Sequence, residues 1–192
     1  MTGWWFSEGD EPKWRKAGRN LVFLFNKRTP LIFDDFRSYG TITITKDNNV
    51  VNFEKSKLAN DIINRNWNFK DMMSIISSYP RRHTQLIEDA IMDQQFFVSG
   101  IGNYLKAEIL YEAKISPLRT LSSISESEWK TLYNIARKLS HNMLDILLLR
   151  NERKYINSMK IYGKQKDLYG NPIEKHTAKN GRTTFWVPRI QK

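Results

Sequence analysis

The chain has 192 residues, 40% hydrophobic and 27% charged, and no cysteine, enough for a real core in one large domain or several small ones. The missing thiols exclude disulfides, a cysteine nucleophile and cysteine-ligated zinc, and the three histidines (His83, His141 and His176) lack metal-ligand spacing. No apolar run approaches a membrane span and Met1-Thr2-Gly3-Trp4-Trp5 has no signal-peptide pattern, so the expectation is an intracellular protein with no metal, no cofactor and no membrane contact.

The net charge of +11 and pI near 9.8 are unevenly spread. Residues 151–192 hold ten Lys and Arg against three Asp and Glu, with aromatic residues between them. A basic, aromatic segment suits a polyanion, nucleic acid first; a merely solubilising surface is the alternative.

Residues 1–60 read as β structure. Asn20–Phe25, Leu31–Phe33 and the alternating Thr41-Ile42-Thr43-Ile44-Thr45 are strand-like, parted by turns at Lys27-Arg28-Thr29-Pro30 and Asp47-Asn48-Asn49. These few strands make an incomplete sheet, which should leave Trp4, Trp5, Val22 and Leu24 exposed.

Residues 61–150 read as helical. One helix is expected from His83 to Gln95, with Leu86, Ala90, Ile91 and Met92 on its apolar face, and a second from Tyr104 to Ala113. A third follows the capping box Ser125-Glu126-Ser127-Glu128 and buries Trp129, Leu132, Ala136, Leu139, Met143 and Leu147. Residues 151–192 add a turn at Tyr169-Gly170-Asn171-Pro172. Asn180-Gly181 then signals a type I′ hairpin leading into Thr183–Val187.

Between the first two helices lies Gly100-Ile101-Gly102-Asn103. The glycines either permit a tight interhelical turn or bring the backbone against a phosphate at a helix N-terminus, with Asn103 placed to cap the helix.

The stretch from Asp93 through Gly100-Ile101-Gly102-Asn103-Tyr104 to Tyr111, ending at Ile115-Ser116-Pro117, resembles the helix–two-turns–helix element of the Fpg/Nei DNA glycosylases, the eukaryotic Nei-like branch in particular. Three further segments follow in family order. Met1-Thr2-Gly3 resembles the end of a His-Leu-Gly-Met-Ser/Thr-Gly segment, Asp35-Phe36-Arg37-Ser38-Tyr39-Gly40 an Asp-x-Arg-Arg-Phe-Gly loop, and Gly181–Trp186 the hairpin of the C-terminal finger.

The resemblance implies an α+β fold in three parts. These are a partial β-sandwich (1–60), a helix–two-turns–helix bundle (61–150) and a basic β-hairpin of the zincless-finger type (151–192). It implies base-excision chemistry on oxidised bases, with double-stranded DNA bearing a damaged base or abasic site as partner of a monomer. Gly100, Gly102, Asn103 and Arg182 would hold phosphates. Met1, Arg37 and Tyr39 would fill the gap left by the everted nucleotide.

The departures matter equally. The finger cysteines of the family fall near Lys166, Tyr169, Val187 and Ile190, none a zinc ligand here, and Ser38 replaces an arginine. The short, glycine-free segment from Arg150 to Met159 does not resemble the lesion-capping loop of 8-oxoguanine enzymes, which favours oxidised pyrimidines. Family members begin with Pro-Glu and carry a catalytic Lys ahead of the Met segment. This sequence has no counterpart for them, so no catalytic residue is assigned. The Thr2 amine would sit at the wedge, away from the sugar; Glu108 and the histidines read as structural or surface residues. The alternatives are an enzyme whose start lies upstream of Met1 and a DNA-binding protein without catalysis.

Overall fold

A computed structural model describes residues 4–9, 21–35, 40–148 and 158–192. Two compact units emerge, Met1–Val50 and Val51–Lys192, within a mixed α+β architecture of small sheets.

In the first unit, β1 (Trp4–Ser7), β2 (Leu21–Phe25) and β3 (Arg28–Asp34) form an antiparallel sheet in the order β1-β3-β2. Trp5 sits opposite Phe33, and Val22 opposite Ile32. Phe6 and Ile32 are buried, whereas Trp5, Val22 and Leu24 stand exposed as expected; the side chain of Trp4 lies outside the description. The Trp5 ring meets Phe33 at 4.7 Å and Phe23 at 5.7 Å, so part of the open face is covered by its own aromatics.

The turn expected at Lys27-Arg28-Thr29-Pro30 falls instead at Asn26-Lys27, with Arg28, Thr29 and Pro30 already in β3, and two further β expectations fail. Thr41–Thr45 joins no ladder among the described residues, and Ile44 is exposed. Its alternation specifies a face but supplies no neighbouring strand to pair with. Asp47-Asn48-Asn49 opens a helix, α1 (Asn48–Ser56), because the Asp47 carboxylate accepts the Asn49 amide at 2.8 Å as a cap does.

The second unit contains α2 (Phe69–Ser78), α3 (Ile87–Ala90), α4 (Asn103–Glu112), a 3₁₀ turn at Leu121–Ser123, α5 (Glu126–Leu148) and the hairpin β4 (Glu174–Thr177) and β5 (Thr183–Trp186). A reciprocal Asn68–Asp71 box starts α2. The expected Ser125–Glu128 box starts α5: the Glu128 carboxylate accepts the Ser125 amide at 2.7 Å. Trp129, Leu132, Ala136 and Met143 are buried, and Leu139 packs on the same core at partial exposure.

The helix expected over His83–Gln95 shrinks to the single turn of α3. Upstream, Leu86 bridges Thr120, and the Ile87 amide donates to the Arg119 carbonyl, so the backbone there is committed to another segment. Downstream, Asp93 accepts the amides of Gln95 and Phe96 and turns the chain.

The central element is α4. Every residue from Leu105 to Tyr111 is buried. Leu105, Ile109 and Leu110 enter the main core, while Ala107 and Tyr111 join Ile161 and Val187 in a second cluster under the hairpin. A helix covered on both sides has no polar face left, and this forces Lys106 and Glu108 into the interior. Glu108 is structural, as expected: its carboxylate accepts the amides of Lys160, Ile161 and Tyr162 at 2.8–3.0 Å.

Candidate nucleic-acid interface

The turn into α4 distinguishes its two glycines. Gly100 has φ +95, and a Cβ there would meet Ile62 Cγ2 at 3.1 Å and Asp61 Oδ1 at 3.2 Å. The fold itself therefore demands glycine at this position. Gln94 staples the turn, accepting the Gly100 amide at 2.8 Å and donating to the Ile101 carbonyl at 2.8 Å. Gly102 has φ −100, and an added Cβ would meet nothing within 4 Å. Nothing in the fold requires glycine there.

Gly102 is the N-cap of α4 and offers no side-chain acceptor to the first-turn amides, so this helix end presents N–H groups and the positive end of the helix dipole. Asn103, expected to cap α4, is instead its first helical residue. Its side chain turns to the hairpin, where Nδ2 donates to the Thr183 carbonyl at 2.9 Å. That bond brings the hairpin beside the helix end.

The hairpin is closed by a three-residue loop, not the two-residue type I′ turn expected from Asn180-Gly181. Ala178 N–H donates to the Arg182 carbonyl and Gly181 N–H to the Ala178 carbonyl, both at 2.9 Å. Gly181 is left-handed at φ +75, but Asn180 is not, whereas type I′ needs both. The Asn180 side chain has other work: Oδ1 accepts the Arg182 amide at 3.0 Å, and Nδ2 donates to Asp89 at 3.1 Å. Arg182 is exposed on a backbone fixed on both sides.

Beneath it lies a buried charged junction. Glu88, fully buried, accepts the Thr184 hydroxyl at 2.6 Å, and its other oxygen lies 2.8 Å from His176 Nδ1, off the line of a hydrogen bond. Lys106 is equally buried, and its Nζ bonds to no described residue. Burial pushes the Lys106 ammonium down to about 8, with Glu88 and Asp89 pulling it back up and the neighbouring Arg182 opposing them.

Where the resemblance would put finger cysteines, apolar contact and one carboxylate take over. Val187 is buried and Ile190 packs beside it; Tyr169 is exposed, and Lys166 bridges Pro172 through backbone. The Asp167 carboxylate accepts the amides of Tyr169 (2.9 Å) and Asn171 (2.8 Å), the Asn171 side-chain amide (2.9 Å) and the Tyr111 hydroxyl (3.1 Å). Burial would raise its pKa, but these bonds outweigh that and hold it below the ordinary value. Burial and the bond to Asp167 push the Tyr111 hydroxyl up. Among the described residues no group of three or more His, Asp or Glu could hold a metal ion, and no helix is long and apolar enough to cross a membrane.

Gly100, Gly102, Asn103 and Arg182 are thus brought together on one unit. Met1, Arg37 and Tyr39 lie outside the described residues, as does 150–157 of the segment read for lesion preference. Asp35 and Gly40, which flank Arg37 and Tyr39, are joined by a hydrogen bond from the Gly40 amide to the Asp35 carboxylate.

Residues 61–145 match the formamidopyrimidine-DNA glycosylase H2TH domain. Sequence relatives include formamidopyrimidine-DNA glycosylase of Listeria monocytogenes, 29% identical over 90% of this chain and 66% of its own length. Endonuclease 8 of Pectobacterium atrosepticum is 30% identical over 58% of this chain and 44% of its own. The fold matches Lactococcus lactis Fpg (MutM) in complex with FAPY-dG-containing DNA at a TM-score of 0.79 and 25% identity, covering the whole chain and 72% of that protein. The domain match, the relatives and the fold together support the Fpg/Nei family for this chain.

It spans about two thirds of the Listeria relative. Within the Fpg/Nei frame, Glu88, Lys106, Gln94 and Asp167 are the residues that reading the sequence did not single out. The available signal was polarity out of place: Lys106 lies between Leu105 and Ala107 in α4, and Glu88 lies close to Ile87 and Ala90.

Proposed function

We propose that this chain grips double-stranded DNA at a damaged base or abasic site. It would serve as the DNA-holding part of a base-excision glycosylase/AP lyase of the Fpg/Nei type acting on oxidised bases. The observation that carries the reading is the juxtaposition of an uncapped α4 N-terminus with the Arg182 hairpin, tied together by the Asn103–Thr183 bond. Two phosphates are the natural ligands: one on the first-turn amides, where Gly102 leaves room for close approach, and one in the guanidinium fork of Arg182.

Asn103 acts in this reading through the hairpin, by holding Thr183, and not as a helix cap. The excess positive charge of residues 151–192 adds a sequence-independent attraction. Support also comes from the Lactococcus neighbour, which is bound to abasic-site DNA in a further structure. Lys106, despite its lowered pKa, is sealed from solvent and belongs to the junction, not to chemistry at a sugar. The wedge assigned to Met1, Arg37 and Tyr39 belongs to the same proposal and rests on sequence resemblance.

The test is a salt titration of binding to a duplex carrying one tetrahydrofuran abasic analogue. Arg182→Ala should weaken binding and reduce the slope of log K against log salt by about one, the signature of one lost phosphate contact. An unchanged slope would remove Arg182 from the interface.

A further inference from the structure

We propose that Glu88 is the positioning residue of the DNA grip, holding the Arg182 hairpin in register with the α4 N-terminus; this rests on the reading that Arg182 contacts a phosphate. Glu88 belongs to α3, within the helical part of the unit, yet its carboxylate faces both strands of the hairpin. Oε2 takes the hydroxyl of Thr184 on β5, and Oε1 lies against His176 on β4. The neighbouring Asp89 takes the loop through Asn180. With the Asn103–Thr183 bond, every part of the hairpin around Arg182 is tied to α3 or α4 by a polar contact.

The location of these ties is informative. The apolar cluster under the hairpin, Ala107, Tyr111, Ile161 and Val187 with Phe185 and Ile190, can hold the hairpin down but is non-directional. A carboxylate gripping a hydroxyl at 2.6 Å has a fixed geometry. Burying it costs several kcal/mol unless partners compensate; the Thr184 hydroxyl supplies the hydrogen bond, and His176 Nδ1 lies 2.8 Å from the other oxygen. A buried carboxylate is an expensive way to gain stability alone; its particular contribution here is register. Arg182 lies two residues before Thr184, in the loop that leads directly into β5, so a slip of the Thr184 contact carries Arg182 with it.

A residue that merely stabilises the fold and one that positions Arg182 differ in the binding signature. Loss of folded protein lowers apparent affinity equally at all salt concentrations, whereas loss of one phosphate contact lowers the salt slope. The experiment compares the full chain with Glu88→Gln, Arg182→Ala and the double variant on the tetrahydrofuran duplex across salt concentrations. Glu88→Gln should cut the slope by about one, as Arg182→Ala does, and the double variant should bind no more weakly than Arg182→Ala alone.

A Glu88→Gln slope equal to wild type, beside a reduced Arg182→Ala slope, would overturn the positioning role and leave the phosphate contact standing. An unchanged Arg182→Ala slope would overturn the phosphate reading, and the Glu88 role with it. Should Glu88→Gln fail to fold, Thr184→Val removes one donor while keeping the carboxylate and the side-chain volume. Its slope should fall towards that of Arg182→Ala, and a wild-type slope there would equally overturn the proposal.

Discussion

Lys106 gives the sharpest quantitative expectation. Its ammonium is fully buried on α4 and bonds to no described residue, and its pKa falls from 10.5 in the unfolded reference to about 8. Between those values the unfolded chain still holds the proton that the folded chain has released. Unfolding then takes up a proton, so stability must rise with pH through this window. At about 1.4 kcal/mol per pKa unit the full gain is about 3 kcal/mol, of which about 2 kcal/mol falls between pH 7.5 and 9.5. Lys106→Met keeps the length of the side chain and removes the titration. Urea unfolding followed by near-ultraviolet circular dichroism, at half-unit pH steps, should show wild type gaining about 2 kcal/mol on the variant across that range. A pH-independent difference would mean that the ammonium is solvated or paired, and would refute the description of the junction as dry. A difference falling with pH would refute the sign.

The two glycines of the α4 turn should behave oppositely. Gly100→Ala forces a Cβ against Ile62 and Asp61 at a left-handed backbone, and should lower the melting temperature by several degrees for a cost of about 1–3 kcal/mol. Gly102→Ala should melt with wild type yet bind the abasic duplex more weakly, because its Cβ fills space that only a ligand would need. Full affinity in Gly102→Ala would place the phosphate elsewhere. Asp167→Asn should destabilise the unit by about 1–3 kcal/mol at neutral pH, since it removes the carboxylate that accepts the hydrogen bonds of the Tyr169–Asn171 turn and of Tyr111. Because the pKa of Asp167 is depressed in the folded state, its contribution is complete above the unfolded value of 3.8 and is lost as pH falls through the folded one. The variant and wild-type stabilities should therefore converge in acid. A gap that persists at low pH would assign the loss to something other than the charge.

Local signals with a mechanism were legible in the sequence. The Ser125–Glu128 box and the periodic Trp129, Leu132 and Ala136 specify α5 and its buried face, and the Gly100–Asn103 turn announces the start of α4. What failed was what depends on distant partners. Thr41–Thr45 has strand chemistry but joins no ladder among the described residues, and His83–Gln95 has a helical pattern whose backbone at Leu86 is claimed by Thr120. Asn180-Gly181 reads as a two-residue turn until Asn180 is seen bonding to Asp89. Gly100, Gly102, Asn103 and Arg182 were recognisable as a motif, but the charges beneath them were not. Glu88 and Lys106 lie 18 residues apart in sequence and acquire meaning only once α4 is buried on both sides and the hairpin closes over it.

Whether DNA is held at the α4 N-terminus and the Arg182 loop is decided by amide chemical-shift mapping of the full chain, titrated with the tetrahydrofuran duplex at low salt. The largest shifts are expected at Gly102, Asn103, Tyr104 and Arg182, with Glu88 and Thr184 following as the junction adjusts. Shifts confined to the exposed turn at Leu168 and Tyr169, or to the basic turn at Arg81 and Arg82, would contradict that placement.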